Sequence, residues 1–359
     1  MRTFQCVCEN TLFFDNSLCL HCGREVGHCP RCRNIVALLP VEEASFRCGN
    51  PDCGVSLVKC DNFVTFNVCN RCLLAPENIT PTEASSARSI LCDCCCFNHT
   101  IPDLNTPGNL EKWYRLEAAK RRLFYDLDLL QLPYGTEAQG VEPALRFDFK
   151  ADLIPKGEFW RPIGPKERVF TGHANGTITI NIREAEDVER ERLRVELGEA
   201  QRTLVGHFRH EIGHYYWDML VKQKREPDFK RLFGDHTDPS YAPALEHYYK
   251  AGPPIDWPER FVSAYATMHP WEDFAETFAT YLDMLSTLDT AYHVGFVTIP
   301  PTLRALDSTV EQYQQLGVAL NELNRSMGLL DLAPKVLSQV VKEKMRFIQH
   351  LTSQAGAAE

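Results

Sequence analysis

The run His210-Glu211-Ile212-Gly213-His214 carries the residue types of metal-assisted hydrolysis. Two imidazoles four residues apart lie on one face of a helix and can share one ion. This HExxH spacing is a zinc-binding arrangement, and its glutamate is placed to take a proton from water at the metal. A chance match would leave His210 and His214 as solvated helical residues. The context favours the metal, because a helix is predicted over Asp187 to Lys222, with Leu193, Leu197, Leu204, Phe208 and Ile212 at helical spacings and no proline.

A catalytic zinc site needs a third protein ligand and one open position. The segment HPWEDFAETFATYLDML offers the best donors. Pro270 suits the first turn of a helix, and Glu272 and Glu276 then share a face four residues apart. Glu272 is assigned to the metal. Glu276 is assigned to the far nitrogen of a ligand histidine, which it would orient. The reverse assignment stays open, as does His269 as a ligand. The apolar neighbours Trp271, Phe274, Ala275, Phe278 and Ala279 weaken the reading of both glutamates as a solvated face. Tyr265 is the phenol best placed to face the site, either donating to an oxyanion or packing on the zinc helix.

Ahead of the zinc helix, Asn175-Gly176 marks a turn, and Thr177 to Ile182 alternates β-branched and polar residues. The pattern predicts a hairpin whose second strand borders the cleft, where a strand edge can hold an extended peptide. His173 falls in the turn region.

All fifteen cysteines lie before residue 100. This marks a separate module. The pairs Cys6/Cys8, Cys19/Cys22, Cys29/Cys32, Cys69/Cys72 and Cys92/Cys95 have knuckle-like spacing; Cys48, Cys53 and Cys60 stand singly, and Cys94 and Cys96 crowd the last pair. Two thiolates of a knuckle can reach one tetrahedral zinc. Cys6, Cys8, Cys19 and Cys22 make one zinc ribbon, and the remainder can build one or two more sites. Disulfides fit poorly, since the opening residues have no long apolar core and no cysteine follows Cys96. Iron–sulfur ligation is the other chemistry open to four thiolates. Small knuckles use metal in place of a hydrophobic core.

The chain has 359 residues, 44% hydrophobic, with a formal net charge of -10. That acidity argues against broad binding to a nucleic-acid backbone, despite Arg24, Arg31, Arg33, Arg47 and Lys59 in the cysteine module. No apolar stretch long enough to span a membrane is present. Reduced thiols without an export signal point to the cytoplasm. A polar loop is expected from Ala75 to Ser89, and residues 101–112 read as a bridge between modules. Helices are predicted over Glu111–Leu130, Pro301–Asn324 and Pro334–Ser353, and an early strand at Phe147-Asp148-Phe149. Arg231 to Pro258 reads as short pieces, with a turn at Asp235-His236-Thr237-Asp238.

Several long words then acquire a common meaning: TIPDL at 100–104, LEAAKRRL at 116–123, TGHANGTITIN at 171–181, LVGHFRHEIGHYYWD at 204–218, LFGD at 232–235, GPP at 252–254, DW at 256–257, FVSAYATMHPWEDFAETFATYLD at 261–283 and LDTA at 288–291. In them the chain resembles a family of zinc-binding metallopeptidases with an N-terminal zinc-ribbon domain. The resemblance implies a bacterial protein and a gluzincin-like site, in which His210, His214 and Glu272 bind zinc and Glu211 is the base. It matches Cys6, Cys8, Cys19 and Cys22 to the ribbon, with one residue between the first two cysteines where the family usually has two. It implies a second set of Cys48, Cys60, Cys92 and Cys95. Cys29/Cys32 and Cys69/Cys72 would then form a third site, leaving Cys53, Cys94 and Cys96 unassigned.

The expected architecture is α+β: a cysteine-rich ribbon module over 1–100, a mainly helical zincin-like domain with a small edge sheet over 101–300, and C-terminal helices over 301–359 packing on it. The expected cofactors are one catalytic zinc and two or three structural ones. The expected activity is hydrolysis of a peptide or protein substrate, with no membrane and no nucleic-acid partner. The competing expectation is a non-enzymatic, zinc-binding regulatory protein that docks a protein partner, or contacts nucleic acid, through its ribbons. The fourth position on zinc separates them, since open water favours hydrolysis and a protein side chain favours structure.

Overall fold

A computed structural model of the chain describes residues 1–42, 44–75, 90–152, 169–197, 203–303, 305–333 and 336–356. From residue 76 onward, the loop expected up to Ser89 lies outside the described residues. The chain is α+β and divides into two compact units, Met1–Arg121 and Arg122–Glu359. The division falls within one long helix.

The first unit is built from short antiparallel strands. β1 (Phe4–Gln5) pairs with β2 (Thr11–Leu12). β3 (Val26–His28), β4 (Ile35–Glu42), β5 (Ser45–Cys48), β6 (Ser56–Lys59) and β7 (Cys72–Leu74) form a five-stranded sheet in sequence order. The apolar run Ile35 to Leu38 supplies its buried centre with Val26 and Leu57. The register shifts between Pro40 and Glu42, where a proline that cannot donate to the ladder is tolerated. Between β6 and β7 lies the short helix α1 (Asp61–Phe66), closed by Asn67 in the left-handed conformation at φ 52°. β8 (Asn98–Thr100) and the first part of α2 (Asn109–Leu129) follow.

The second unit is mostly helical. β9 (Arg146–Lys150) contains the expected Phe147-Asp148-Phe149 strand, and β10 (Gly172–Ala174) and β11 (Thr177–Asn181) form the hairpin around Asn175-Gly176. Both turn residues have positive φ, 48° and 80°, as a tight hairpin turn requires. Glycine is demanded at 176 for a second reason, because a Cβ there would lie 2.2 Å from the Ala144 carbonyl oxygen. β11 does not form an edge. It is flanked by antiparallel β10 and parallel β9, so β10 is the outer strand of the hairpin. Buried Phe147, Phe149 and Phe208 fill the space behind it.

The single helix expected over Asp187–Lys222 is not continuous. The structure has α3 (Asp187–Leu197) and α4 (Leu204–Tyr216), with Thr203 extended between them at φ -118° and ψ 153°. The Thr203 hydroxyl accepts the Gly206 N–H, so a capping residue wins over continuous apolar periodicity. α4 ends in a wider π turn over Trp217–Val221. Next come α5 (Glu226–Phe233) and α6 (Tyr241–Ala251). The sequence reading missed α6 because Pro243 resembles a breaker; it lies in the first turn, where the missing N–H is harmless.

α7 (Pro270–His293) is the central helix, buried along most of its length. The His269 side chain caps it by accepting the Trp271 N–H, and Pro270 opens its first turn. α4 packs against α7 at Gly213, where a Cβ would come within 2.9 Å of the Ala275 Cα. The closing helices are α8 (Leu306–Ser326) and α9 (Gln339–Gly356), both in contact with α7. Among the described residues no helix is long and apolar enough to cross a membrane.

Candidate metal centres

On α4 the residues His207, His210, Glu211 and His214 fall at i, i+3, i+4 and i+7, which places them on one stripe. The α4–α7 crossing brings Glu272 to that stripe. The Nε2 atoms of His210 and His214 are 3.2 Å apart. Glu272 Oε2 lies 3.0 Å from the first and 3.6 Å from the second. This oxygen is buried and meets no hydrogen-bond donor in suitable geometry. Two imidazole nitrogens and an anionic oxygen turned to one point can hold a cation between them. A divalent ion with nitrogen and oxygen donors, such as zinc, fits this set, and one corner of a tetrahedron is left over.

The surrounding residues aim these donors. His210 Nδ1 meets Glu276 Oε1 at 2.6 Å, and the second oxygen of Glu276 accepts the Ser263 hydroxyl at 2.7 Å. Glu272 Oε1 accepts the Tyr241 hydroxyl at 3.0 Å. Burial alone would lower the proton affinity of His210, but Glu272 and Glu276 outweigh it and raise it well above the ordinary imidazole value. The same carboxylates draw a metal cation to the Nε2 side. Burial lifts the Glu211 carboxyl above its usual range, against the pull of His210 and His214. Its Oε2 is buried without a hydrogen-bond partner.

Sequence reasoning did not single out Tyr241 and Ser263, nor the pair Glu184 and His207. Glu184 contacts His207 Nδ1 and accepts the Thr171 hydroxyl at 2.6 Å. Tyr265 stands beside His210, with ring centroids 6.2 Å apart. His269 is turned away from the site into its capping role, with Nε2 3.2 Å from the His236 carbonyl oxygen. His173 serves the hairpin, its Nε2 accepting the Gly176 N–H at 3.0 Å. Asp235 accepts Thr237 N–H and O–H and closes the expected turn. Beneath the stripe, Arg209 donates to buried Asp126 at 2.8 and 2.7 Å and also to Asp283.

In the first unit twelve cysteines gather into three groups of four: Cys6, Cys8, Cys19 and Cys22; Cys29, Cys32, Cys48 and Cys53; Cys60, Cys69, Cys92 and Cys95. Every cysteine is free. Sulfur separations across the groups are 3.7 Å for Cys6–Cys22, Cys8–Cys19 and Cys69–Cys92, and 3.9 Å for Cys29–Cys53 and Cys32–Cys48. A disulfide needs about 2.05 Å. A tetrahedron with zinc–sulfur bonds of about 2.3 Å has edges of about 3.8 Å. The sulfurs therefore have the spacing that a tetrahedral zinc requires. In the first two groups the chain turns back after a cysteine through a left-handed residue: Glu9, Gly23, Arg33 and Gly54. This is how a one-residue spacer between Cys6 and Cys8 still makes a knuckle, closed by the Glu9 N–H on the Cys6 carbonyl.

The grouping differs from the one the resemblance implied. Cys48 ends β5 opposite Leu38 of β4, which carries it to Cys29 and Cys32 rather than to Cys60, and Cys53 completes that set. Cys69 joins Cys60, Cys92 and Cys95 and does not pair with Cys72. Cys72 begins β7 opposite Lys59, its sulfur turned toward Gly27, and burial pushes its thiol up to about 12. Cys94 and Cys96 also stand outside the three groups. The third group is buried at all four cysteines, with backbone N–H groups of Arg71, Cys92 and Cys95 directed at its sulfurs.

Such donor sets define a zinc-binding protein with a cysteine-rich front end and a histidine–carboxylate centre. Residues 109–351 match the sequence profile of the family described as "Putative zinc-binding metallo-peptidase", and residues 3–106 match that of a zinc-ribbon domain. The chain belongs to this zinc-binding metallopeptidase family. Uncharacterized proteins of Mycobacterium bovis and of two Mycobacterium tuberculosis strains are each 37% identical to it over 368 residues, covering 99% of this chain and 96% of the relative. No solved structure matches the chain.

Proposed function

We propose that the chain is a zinc-dependent peptidase whose reaction is run by His210, Glu211, His214 and Glu272. The observation that carries this reading is the meeting of two Nε2 atoms and Glu272 Oε2 within 3.0 to 3.6 Å of one another, next to the buried Glu211 carboxyl, whose Oε2 has no hydrogen-bond partner. Zinc, when bound, supplies Lewis acidity that polarises a carbonyl and makes water a stronger acid. Glu211 takes the proton that water loses on attacking the scissile carbonyl. It then gives that proton to the departing amine, so it ends the cycle as it began. A carboxyl lifted by burial is suited to both transfers. The substrate is an extended peptide or protein segment laid along β10, the outer strand of the hairpin that contacts α4. The three cysteine groups hold three structural zinc ions, and the protein works in the reducing cytoplasm, where twelve thiolates stay available to metal.

The test is Glu211→Gln. It should keep the same zinc content and lose hydrolysis of a broad peptide mixture by at least a hundredfold, read by mass spectrometry. A variant that turns over at the unsubstituted rate ends the assignment of Glu211. An unsubstituted protein with full zinc and no turnover of any peptide points instead to a regulatory metal protein.

A further inference from the structure

We propose that Tyr241 is a positioning residue that decides which oxygen of Glu272 faces the imidazoles. The proposal rests on the reading of Glu272 as a metal donor and deepens it. A carboxylate has two equivalent oxygens and rotates easily, so a single-oxygen donor must be held. Here Oε1 accepts the Tyr241 hydroxyl at 3.0 Å, while Oε2 lies 3.0 and 3.6 Å from the two Nε2 atoms. The two oxygens thus have different partners, and the tyrosine proton makes the difference.

Tyr241 is itself anchored. It is the first residue of α6, and its ring packs on His269 and Trp271 at centroid distances of 5.3 and 6.3 Å. These are the residues that start α7, the helix carrying Glu272. Its one hydroxyl proton goes to Glu272. Tyr265 packs against Tyr248 of α6, with centroids 5.8 Å apart.

The test reads zinc affinity by chelator competition on the full chain, so it does not depend on activity. Glu272→Gln, Tyr241→Phe and the double variant Tyr241→Phe/Glu272→Gln are compared, with melting temperature followed in zinc. Phe keeps the ring packing and removes only the hydroxyl. Tyr241→Phe is expected to weaken the most loosely held zinc roughly tenfold to a hundredfold. The remaining zinc and the melting temperature should not change, and the double variant should be no weaker than Glu272→Gln alone. Unchanged affinity in Tyr241→Phe, or an equal additional loss in the Glu272→Gln background, overturns the proposal while leaving Glu272 as a donor. Unchanged affinity in Glu272→Gln overturns both.

Discussion

The closest approach of α4 and α7 falls within the metal motif itself, and replacing Gly213 with alanine tests how much the site depends on it. The added Cβ would stand 2.9 Å from Ala275 Cα, 3.2 Å from the Ala275 carbonyl oxygen and 3.3 Å from Phe278 Cβ. Carbon atoms settle near 3.5–4.0 Å, so the helices must open by about 0.5–1 Å. Alanine gains about 1 kcal/mol over glycine in a helix interior. Overpacking costs about 1–3 kcal/mol. The fold should therefore lose no more than about 2 kcal/mol. The metal site should suffer more. His210 and His214 ride on one helix and Glu272 on the other, at 3.0 and 3.6 Å. Metal–donor distances tolerate only about 0.2 Å. We expect Gly213→Ala to bind its histidine-site zinc at least about tenfold more weakly, measured by chelator competition, while urea unfolding in zinc shifts modestly. Unchanged zinc affinity and unchanged unfolding would mean that the helices do not meet at this glycine, and the reasoning would fail.

Three further outcomes follow from other residues. Cys53→Ser should lower bound zinc by one ion per chain in elemental analysis and Cys72→Ser should not; the opposite result would restore the pairing suggested by spacing. Arg209→Met should destabilise the fold by about 3 kcal/mol in urea, because Asp126 is left buried without its cation, and adding Asp126→Leu should recover most of that; no recovery would place the loss elsewhere. His173 is held neutral by burial, with the Lys222 cation adding to the effect, and its imidazole is pushed down to about 3. Its free-chain value is about 6.5, so this stability is present above that pH and is lost as pH falls toward 3; against a His173→Asn variant the unsubstituted protein should lose about 1–2 kcal/mol between pH 7 and 5 in melting, and a constant difference would refute it.

Local periodicity made part of this molecule readable. The stripe of His210, Glu211 and His214 and the pair Glu272 and Glu276 each lie on one helix, where spacing alone fixes which side chains share a face. The distance between the two helices was not readable. It depends on Gly213 meeting Ala275, a contact between segments some sixty residues apart. The cysteine grouping failed for the same kind of reason. Spacing identifies a knuckle, but strand pairing decides which knuckles face each other, and the β4–β5 register carries Cys48 to Cys29 and Cys32. Thr203 shows a local signal that was present and overridden, a capping hydroxyl within an apolar pattern that looked continuous. Tyr241 gave no signal, since its importance arises only where α6 meets the start of α7.

The fully buried group of Cys60, Cys69, Cys92 and Cys95 has company of the opposite sign. Among the described residues of the first unit, Arg71, Lys120 and Arg121 are buried, and Glu117 is the only buried carboxylate. The interior thus holds a surplus of two positive charges. Four thiolates around one divalent ion carry two negative charges; four protonated thiols carry none. With an ion in place this group would set two negative charges against that surplus; Arg71 also pairs with Asp93 at 2.8 Å and Arg121 lies 3.8 Å from Asp15, both of them partly exposed carboxylates. Losing the ion would leave that surplus to the partly exposed carboxylates alone.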